Sequence, residues 1–202
     1  VKDLRQTTVD TYDNSANALA EYFRGIGPRI KYIDLAFEAA GNPKQPKILE
    51  IGCGDGRDAK ELVTRGEYTG FDISKELIKL ARAHVPEAHF EVADAATCNY
   101  PEGQDIVFAF ASLLHLNNAE VRTVLERVGT ALKPGGIFYI SLKWAAEYTE
   151  TIKEDKFGTR LFYLYNAEII TELAGQSYEV VQSFREVNGH TDWFEIVLKR
   201  AA

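Results

Sequence analysis

The chain has 202 residues, 46% hydrophobic and 26% charged, which fits one globular domain and not a disordered, collagen-like or coiled-coil chain. Its 23 Lys and Arg against 30 Asp and Glu give a formal charge of −7, so nucleic acid is repelled on average and is not an expected partner. No run approaches the roughly 20 apolar residues that span a bilayer, and Val1 to Tyr12 lacks a charged start followed by an apolar stretch. A soluble, cytoplasmic protein with no membrane partner is expected, as a monomer or homodimer. Cys53 and Cys98 are the only cysteines, without Cys-x-x-Cys or His-x-x-x-His spacing, so two free thiols and no metal site are expected.

Ala16, Leu19 and Phe23 share one helical face that Gly25-Ile26-Gly27-Pro28 interrupts. Pro28 suits the start of a second helix through Ile30, Ile33, Phe37 and Ala40, closed by Gly41. Each has one apolar face, so residues 1–42 are predicted to cover the rest as a helical layer. From Lys47 the pattern changes to strands alternating with helices. Strands are predicted at Lys47–Ile51, Tyr68–Phe71, His89–Val92, Asp105–Phe110 and Ile137–Leu142. The helices between them lie at Arg57–Arg65, after the Ser74 cap, and at Asn118–Leu132. A helix at Asn166–Ala174 precedes two strands, Tyr178–Val187 and Trp193–Lys199, joined by Asn188-Gly189. In the last strand Phe194, Ile196 and Leu198 alternate with Glu195 and Lys199. The expected fold is a doubly wound α/β sheet of seven strands, mostly parallel with an antiparallel terminal hairpin and helices on both faces. One domain spans 1–202, with its core at 47–142 and a helix plus hairpin at 166–202. Residues 144–165 show no clear period and are rich in aromatics, as lids over binding sites often are.

The most informative run is Ile48-Leu49-Glu50-Ile51-Gly52-Cys53-Gly54-Asp55-Gly56, a strand feeding three alternate glycines and then a helix. Glycines let the chain turn sharply and let a ligand lie close against the backbone. A dinucleotide loop needs G-x-G-x-x-G with a pyrophosphate at the helix start. Here the spacing is G-x-G-x-G, with Glu50 and Asp55 beside it, and carboxylates suit a cationic ligand better than a phosphate.

This run resembles motif I of the class I S-adenosylmethionine-dependent methyltransferases, which implies their Rossmann-like fold. Asp72 in Phe71-Asp72-Ile73-Ser74 matches the family's acid that closes strand two and accepts the ribose hydroxyls, and Asp94 in Val92-Ala93-Asp94-Ala95 matches its adenine-amino acceptor. Leu132 to Gly136 resembles the family's post-strand-five turn. The resemblance covers 47–142 well and the terminal hairpin by architecture. It implies S-adenosylmethionine as donor and S-adenosylhomocysteine as product. The donor would be bound by Gly52, Cys53, Gly54 and Gly56, with Glu50 toward its ammonium, Ile73 and Ala95 beside the adenine, and Tyr12 at the mouth. The bland readings are that Asp72 and Asp94 cap turns and that Cys53 is a small structural thiol.

His115, directly after strand four, is the candidate base; its alternative is a packing histidine touching the cofactor. The chain lacks both the Asn/Asp-Pro-Pro-aromatic run and the Pro-Cys motif that mark nucleic-acid methylation in this family. With the acidic charge, this favours a small-molecule O, N or S nucleophile. Trp144, Arg160 and Tyr163 are the candidate acceptor wall, Arg160 alternatively being a surface arginine laid over aromatics. Two other functions remain open: a non-catalytic donor-binding module, and a nicotinamide-dependent oxidoreductase, which the glycine spacing opposes.

Overall fold

The computed structural model describes residues 3–201. Three helices come first, α1 (Leu4–Asn14), α2 (Ala16–Ile26) and α3 (Ile30–Ala39). The core follows as β1 (Lys47–Ile51), α4 (Ala59–Leu62), β2 (Glu67–Asp72), α5 (Lys75–His84), β3 (His89–Val92), β4 (Gln104–Phe110), α6 (Asn118–Ala131) and β5 (Leu132–Lys143). Then come β6 (Thr149–Asp155), β7 (Gly158–Leu164), α7 (Ala167–Ala174), β8 (Tyr178–Asn188) and β9 (Thr191–Arg200). Seven strands form one sheet in the order β3-β2-β1-β4-β5-β9-β8. The first five are parallel, and β9 runs antiparallel to both β5 and β8. The doubly wound, seven-stranded sheet read from the sequence is the one observed.

Alternation along the strands builds the two layers. Ile48, Ile106, Phe108 and Tyr139 face α3, α4 and α5, while Leu49, Val107, Phe138 and Ile140 face α6 and α7. β4, central and apolar on both faces, is buried from Ile106 to Phe110. The order reverses between β1 and β4, and at such a reversal the connections leave in opposite directions and open a crevice at the strands' C-terminal ends. Among the described residues no helix is long and apolar enough to cross a membrane.

Four local features differ from the sequence reading. α1 went unseen because it buries Thr7, Thr8 and Thr11 instead of an apolar stripe. Asp3, whose side chain accepts from the Arg5 and Gln6 amides, was the legible start signal. α4 is shorter than Arg57–Arg65, running only Ala59–Leu62, and Asp58 at its N-cap position gives no side-chain cap because its carboxylate is taken by Arg29 and Arg57. β5 begins before Pro134-Gly135-Gly136, which forms an irregularity in the β4–β5 ladder with Gly135 at φ +78°. The segment 144–165 is ordered as a β6–β7 hairpin.

That hairpin is tied to α1. The Leu161 amide donates to Thr8 Oγ1 at 2.9 Å, Thr11 Oγ1 donates to the Thr159 carbonyl at 2.7 Å, and Ser15 Oγ to the Phe157 carbonyl at 2.6 Å. β7 buries Leu161, Phe162 and Tyr163, while nearly all of β6 is exposed. Thr8→Val would leave the buried Leu161 N–H without an acceptor, at a cost of about 1–3 kcal/mol. Chemical denaturation should show that loss, and hydrogen exchange should show faster exchange at β7, with α3 unaffected.

Candidate active site

A cavity of about 820 Å³ lies at the C-terminal ends of the strands, roofed by α1 and by the turn between α2 and α3. The loop after β1 forms its floor. Gly52 has φ +72°, and a Cβ there would fall 2.2 Å from Ser112 Cβ, so only glycine lets the β1 and β4 loops meet. Gly54, at φ +56°, faces open space, and its amide donates to Asp72 Oδ2 at 3.0 Å. Ser74 N donates to Asp72 Oδ1 at 2.8 Å. The Asp72 carboxylate is thus clamped at the end of β2, half-buried and facing the cavity, with burial pushing it up from the ordinary carboxylate value.

Glu50, Gly52, Cys53, Gly54, Asp72, Ile73, Asp94, Ala95, Tyr12 and His115 all line this cavity, so ten positions spread over more than a hundred residues of sequence converge. Gly56 does not; its Cβ position lies 3.3–3.4 Å from Phe90 and Ala81, which makes it a packing glycine between α5 and the sheet. Cys53 is buried, and burial holds its thiol well above the ordinary value, as befits a structural thiol. Asp55 is buried against Arg24 at 2.6 Å.

Glu50 is 1% exposed and accepts from Tyr68 OH at 2.6 Å. Burial, helped by the Asp58 charge, pushes its carboxyl up to about 8. His115 is fixed at both ring nitrogens. Nδ1 lies 2.6 Å from the Leu161 carbonyl, which can only accept, so Nδ1 carries the proton and Nε2 accepts from Tyr12 OH at 2.8 Å. Burial pushes His115 down to about 4, so it is neutral. Asp94 is engaged too: Arg5 Nη2 reaches its two oxygens at 2.9 and 2.8 Å, and the Ala96 amide donates to Oδ1 at 2.9 Å.

Trp144, Arg160 and Tyr163 are not among the lining residues. Arg160 is 8% exposed, pairs with Asp155 at 2.5 Å and lies over Tyr12 and Phe162. Trp144 carries Arg185 over its ring, and Tyr163 stacks on Tyr148 with centroids 5.8 Å apart. Their rings are satisfied within the hairpin and its surroundings. Lining residues missed in the sequence are Arg5, Arg29, Tyr32, Asp58, Ser112, Ser141, Trp193 and Glu195. Arg29 follows the legible Gly27-Pro28 break. Glu195 alternates with apolar neighbours and therefore read as solvent-facing, but β9 lies between β5 and β8 and is covered on both faces.

A reversal-point cavity with a glycine loop and strand-end carboxylates defines a Rossmann-like protein suited to a ligand with ribose and base. Residues 48–136 match the family model described as a methyltransferase domain. A trans-aconitate 2-methyltransferase of Delftia acidovorans is 34% identical over 101 residues, covering 47% of this chain and 37% of that protein. A ubiquinone biosynthesis O-methyltransferase of Stutzerimonas stutzeri is 30% identical over 120 residues, covering 56% and 49%. The chain thus spans less than half the length of these two relatives. Among solved structures, a TehB-like SAM-dependent methyltransferase of Corynebacterium glutamicum superposes with a TM-score of 0.70 at 20% identity, over 93% of this chain and 98% of that one. One from Methanosarcina mazei gives 0.71 at 20% identity, over 79% and 94%. By its fold and by this match, the chain shares the Rossmann-like architecture of these methyltransferase structures and carries, over residues 48–136, a core similar to the methyltransferase domain.

A carboxyl group whose value rises from 4.5 to about 8 on folding holds its proton more tightly in the folded state. Its stability contribution is complete below about pH 4.5 and is lost as pH rises through about 8. Glu50→Gln, which can still accept from Tyr68, should therefore flatten the fall in ligand-free melting temperature between about pH 5 and 8. The slope that remains should come in part from Glu195, which burial lifts to about 7.

Proposed function

We propose that the protein transfers a methyl group from S-adenosylmethionine to an O, N or S nucleophile of a small molecule, leaving S-adenosylhomocysteine. The carrying observation is Asp72, held by the Gly54 and Ser74 amides and facing a cavity at the sheet's reversal point. The donor supplies a methyl on a sulfonium, displaced in line by the nucleophile. For this the residues present fit. Asp72 has lone pairs left for two ribose hydroxyls, a bidentate pairing. The open side of Gly54 leaves room along the loop, with Cys53 and Gly52 continuing its wall. Glu50 awaits a positive group; an ammonium beside it would draw its value back down. Ile73 and Ala95 offer apolar flanks for the adenine. Asp94 is the acceptor for its amino group, its carboxylate also accepting from Arg5.

The chain's own part in the chemistry is alignment and exclusion of water. His115 orients Tyr12, whose hydroxyl proton points at Nε2 and whose oxygen lies beside Arg160 on the wall of the cavity. On this reading His115 is a positioning residue and not the base. The β6–β7 hairpin with α1 is the cover, and Trp144, Arg160 and Tyr163 act by stiffening it. A non-catalytic donor-binding module would need no room beyond the donor loop, whereas this cavity continues to β9.

Calorimetry should show saturable binding of S-adenosylmethionine and S-adenosylhomocysteine and none of NAD; the reverse would end this reading. Asp72→Ala should weaken donor binding about tenfold or more, from loss of roughly 1.5–3 kcal/mol of charge-assisted hydrogen bonding, with little change in melting temperature. His115→Gln and Tyr12→Phe should lower turnover together while donor affinity is kept. Because His115 lies far below neutrality, the wild-type pH profile should show no step assignable to it between about pH 6 and 8.

A further inference from the structure

The cavity's far end is not used by the donor. There Glu195 of β9 pairs in register with Ser141 of β5, which pairs in turn with Phe110 of β4, so the three side chains share one face. Trp193 and Glu186 continue that wall, and Tyr32 of α3 closes it. Glu195 is 2% exposed. Its Oε1 accepts from Ser141 Oγ at 2.9 Å and the Tyr139 hydroxyl lies beside the carboxylate as a second donor, while no well-aligned hydrogen bond reaches Oε2 among the described residues. A buried carboxylate oxygen left unpaired is costly unless a ligand supplies the missing partner.

Charge accounting says what that partner is. The four cations lining the cavity all form ion pairs with other acids, Arg5 with Asp94, Lys31 with Glu186, and Arg29 and Arg57 together with the one carboxylate of Asp58, and none forms an ion pair with Glu195. Three lining carboxylates, Glu50, Asp72 and Glu195, have no cation of their own. The proposed donor accounts for the first two; Glu195 remains. It stands two strands beyond β4, roughly 10 Å away at the usual strand spacing, which places it at the remote end of an acceptor and not at the reacting atom. Phe110 and Tyr32 already carry Arg29 and Lys31 over their rings, and the Trp193 ring adds an aromatic surface of the kind on which organic cations are held.

We propose that Glu195, with Ser141, anchors a protonated amine on the acceptor, so that the protein methylates an aromatic or alkyl organic cation and not a polycarboxylate. This rests on the methyltransferase reading above. The groups facing Glu195 are Ser141 and Tyr139 from β5, Arg29 from the head of α3 and Glu186 from β8, and burial dominates, lifting it to about 7. An ammonium needs the ionised form, so amine affinity rises as pH climbs through about 7.

The test is calorimetric titration of the S-adenosylhomocysteine complex at about pH 8 with tyramine, 4-ethylphenol and 4-hydroxyphenylacetate, three probes of one shape and different charge. Tyramine should bind at least tenfold tighter than the other two and lose affinity at about pH 6. Glu195→Gln should abolish this preference while S-adenosylhomocysteine affinity is retained. The wild-type ranking stands on its own if that variant folds poorly. Tyramine binding no tighter than 4-ethylphenol, an unchanged tyramine affinity in Glu195→Gln, or binding of none of the three would overturn the anchor. Failure of the wild type to bind S-adenosylhomocysteine would instead overturn the methyltransferase reading.

Discussion

Everything at the site depends on how closely two loops can approach where the strand order reverses. The chain leaving β1 and the chain leaving β4 meet at Gly52 and Ser112, and Ser112 Oγ donates to the Ile51 carbonyl at 2.7 Å. Any Cβ at position 52 would collide with Ser112 Cβ. On the other side of the contact Ala111 adopts φ +53°, a left-handed conformation that a non-glycine residue rarely takes, and its amide is held by the Ser141 carbonyl at 3.0 Å. The strain at Ala111 sits directly after the end of β4, beside the end of β1. With Gly52 seated, Gly54 N comes within reach of Asp72, and the acidic rim of the cavity is set by backbone geometry instead of by flexible side chains.

A second constraint is electrostatic. Burying a carboxylate without a cation raises its proton affinity, and Glu50 and Glu195 are both lifted, to about 8 and about 7. The Arg29 charge draws both values down in part, but Arg29 is paired with Asp58, which it shares with Arg57, and burial outweighs it at Glu50 and at Glu195. Such an arrangement costs folding stability near neutral pH. It becomes favourable when a ligand brings positive charge, and a sulfonium with its ammonium does that at one end of the cavity.

The sheet was legible because its signals are local and repeated: β-branched runs, Ser74 and Asn117 caps, glycines at turns. The donor side of the site was legible for the same reason, since each residue there ends a strand and the order of strands fixes where ends meet. What escaped were features set by tertiary neighbours. The α1 helix hides its buried face in threonines whose hydroxyls bond to their own helix and to β7. Residues 144–165 alternate poorly because β6 is exposed on nearly every position. Glu195 looked like an outward position, and only the placement of β9 inside the sheet buries it. His115 was found, but its chemistry turned on the Leu161 carbonyl, a partner that no sequence spacing reveals.

That partner links the cover to the floor. The turn Leu113–His115 follows directly from Ser112, so the residue that packs on Gly52 and the residue that bonds the roof are three positions apart. Through its two ring nitrogens His115 binds α1 at Tyr12 and β7 at Leu161, and α1 in turn binds β7 through Thr8 and Thr11. The three segments form a closed ring of hydrogen bonds, in which the neutral imidazole can serve both partners only while it remains neutral. A protonated ring would leave Nε2 as a donor facing a hydroxyl that must reverse its own proton, so the burial that holds His115 at about 4 also fixes the orientation of Tyr12 across the physiological range. The tyrosine hydroxyl is thereby pointed by the imidazole, and the loop geometry at the sheet's reversal reaches the roof of the cavity through a single side chain.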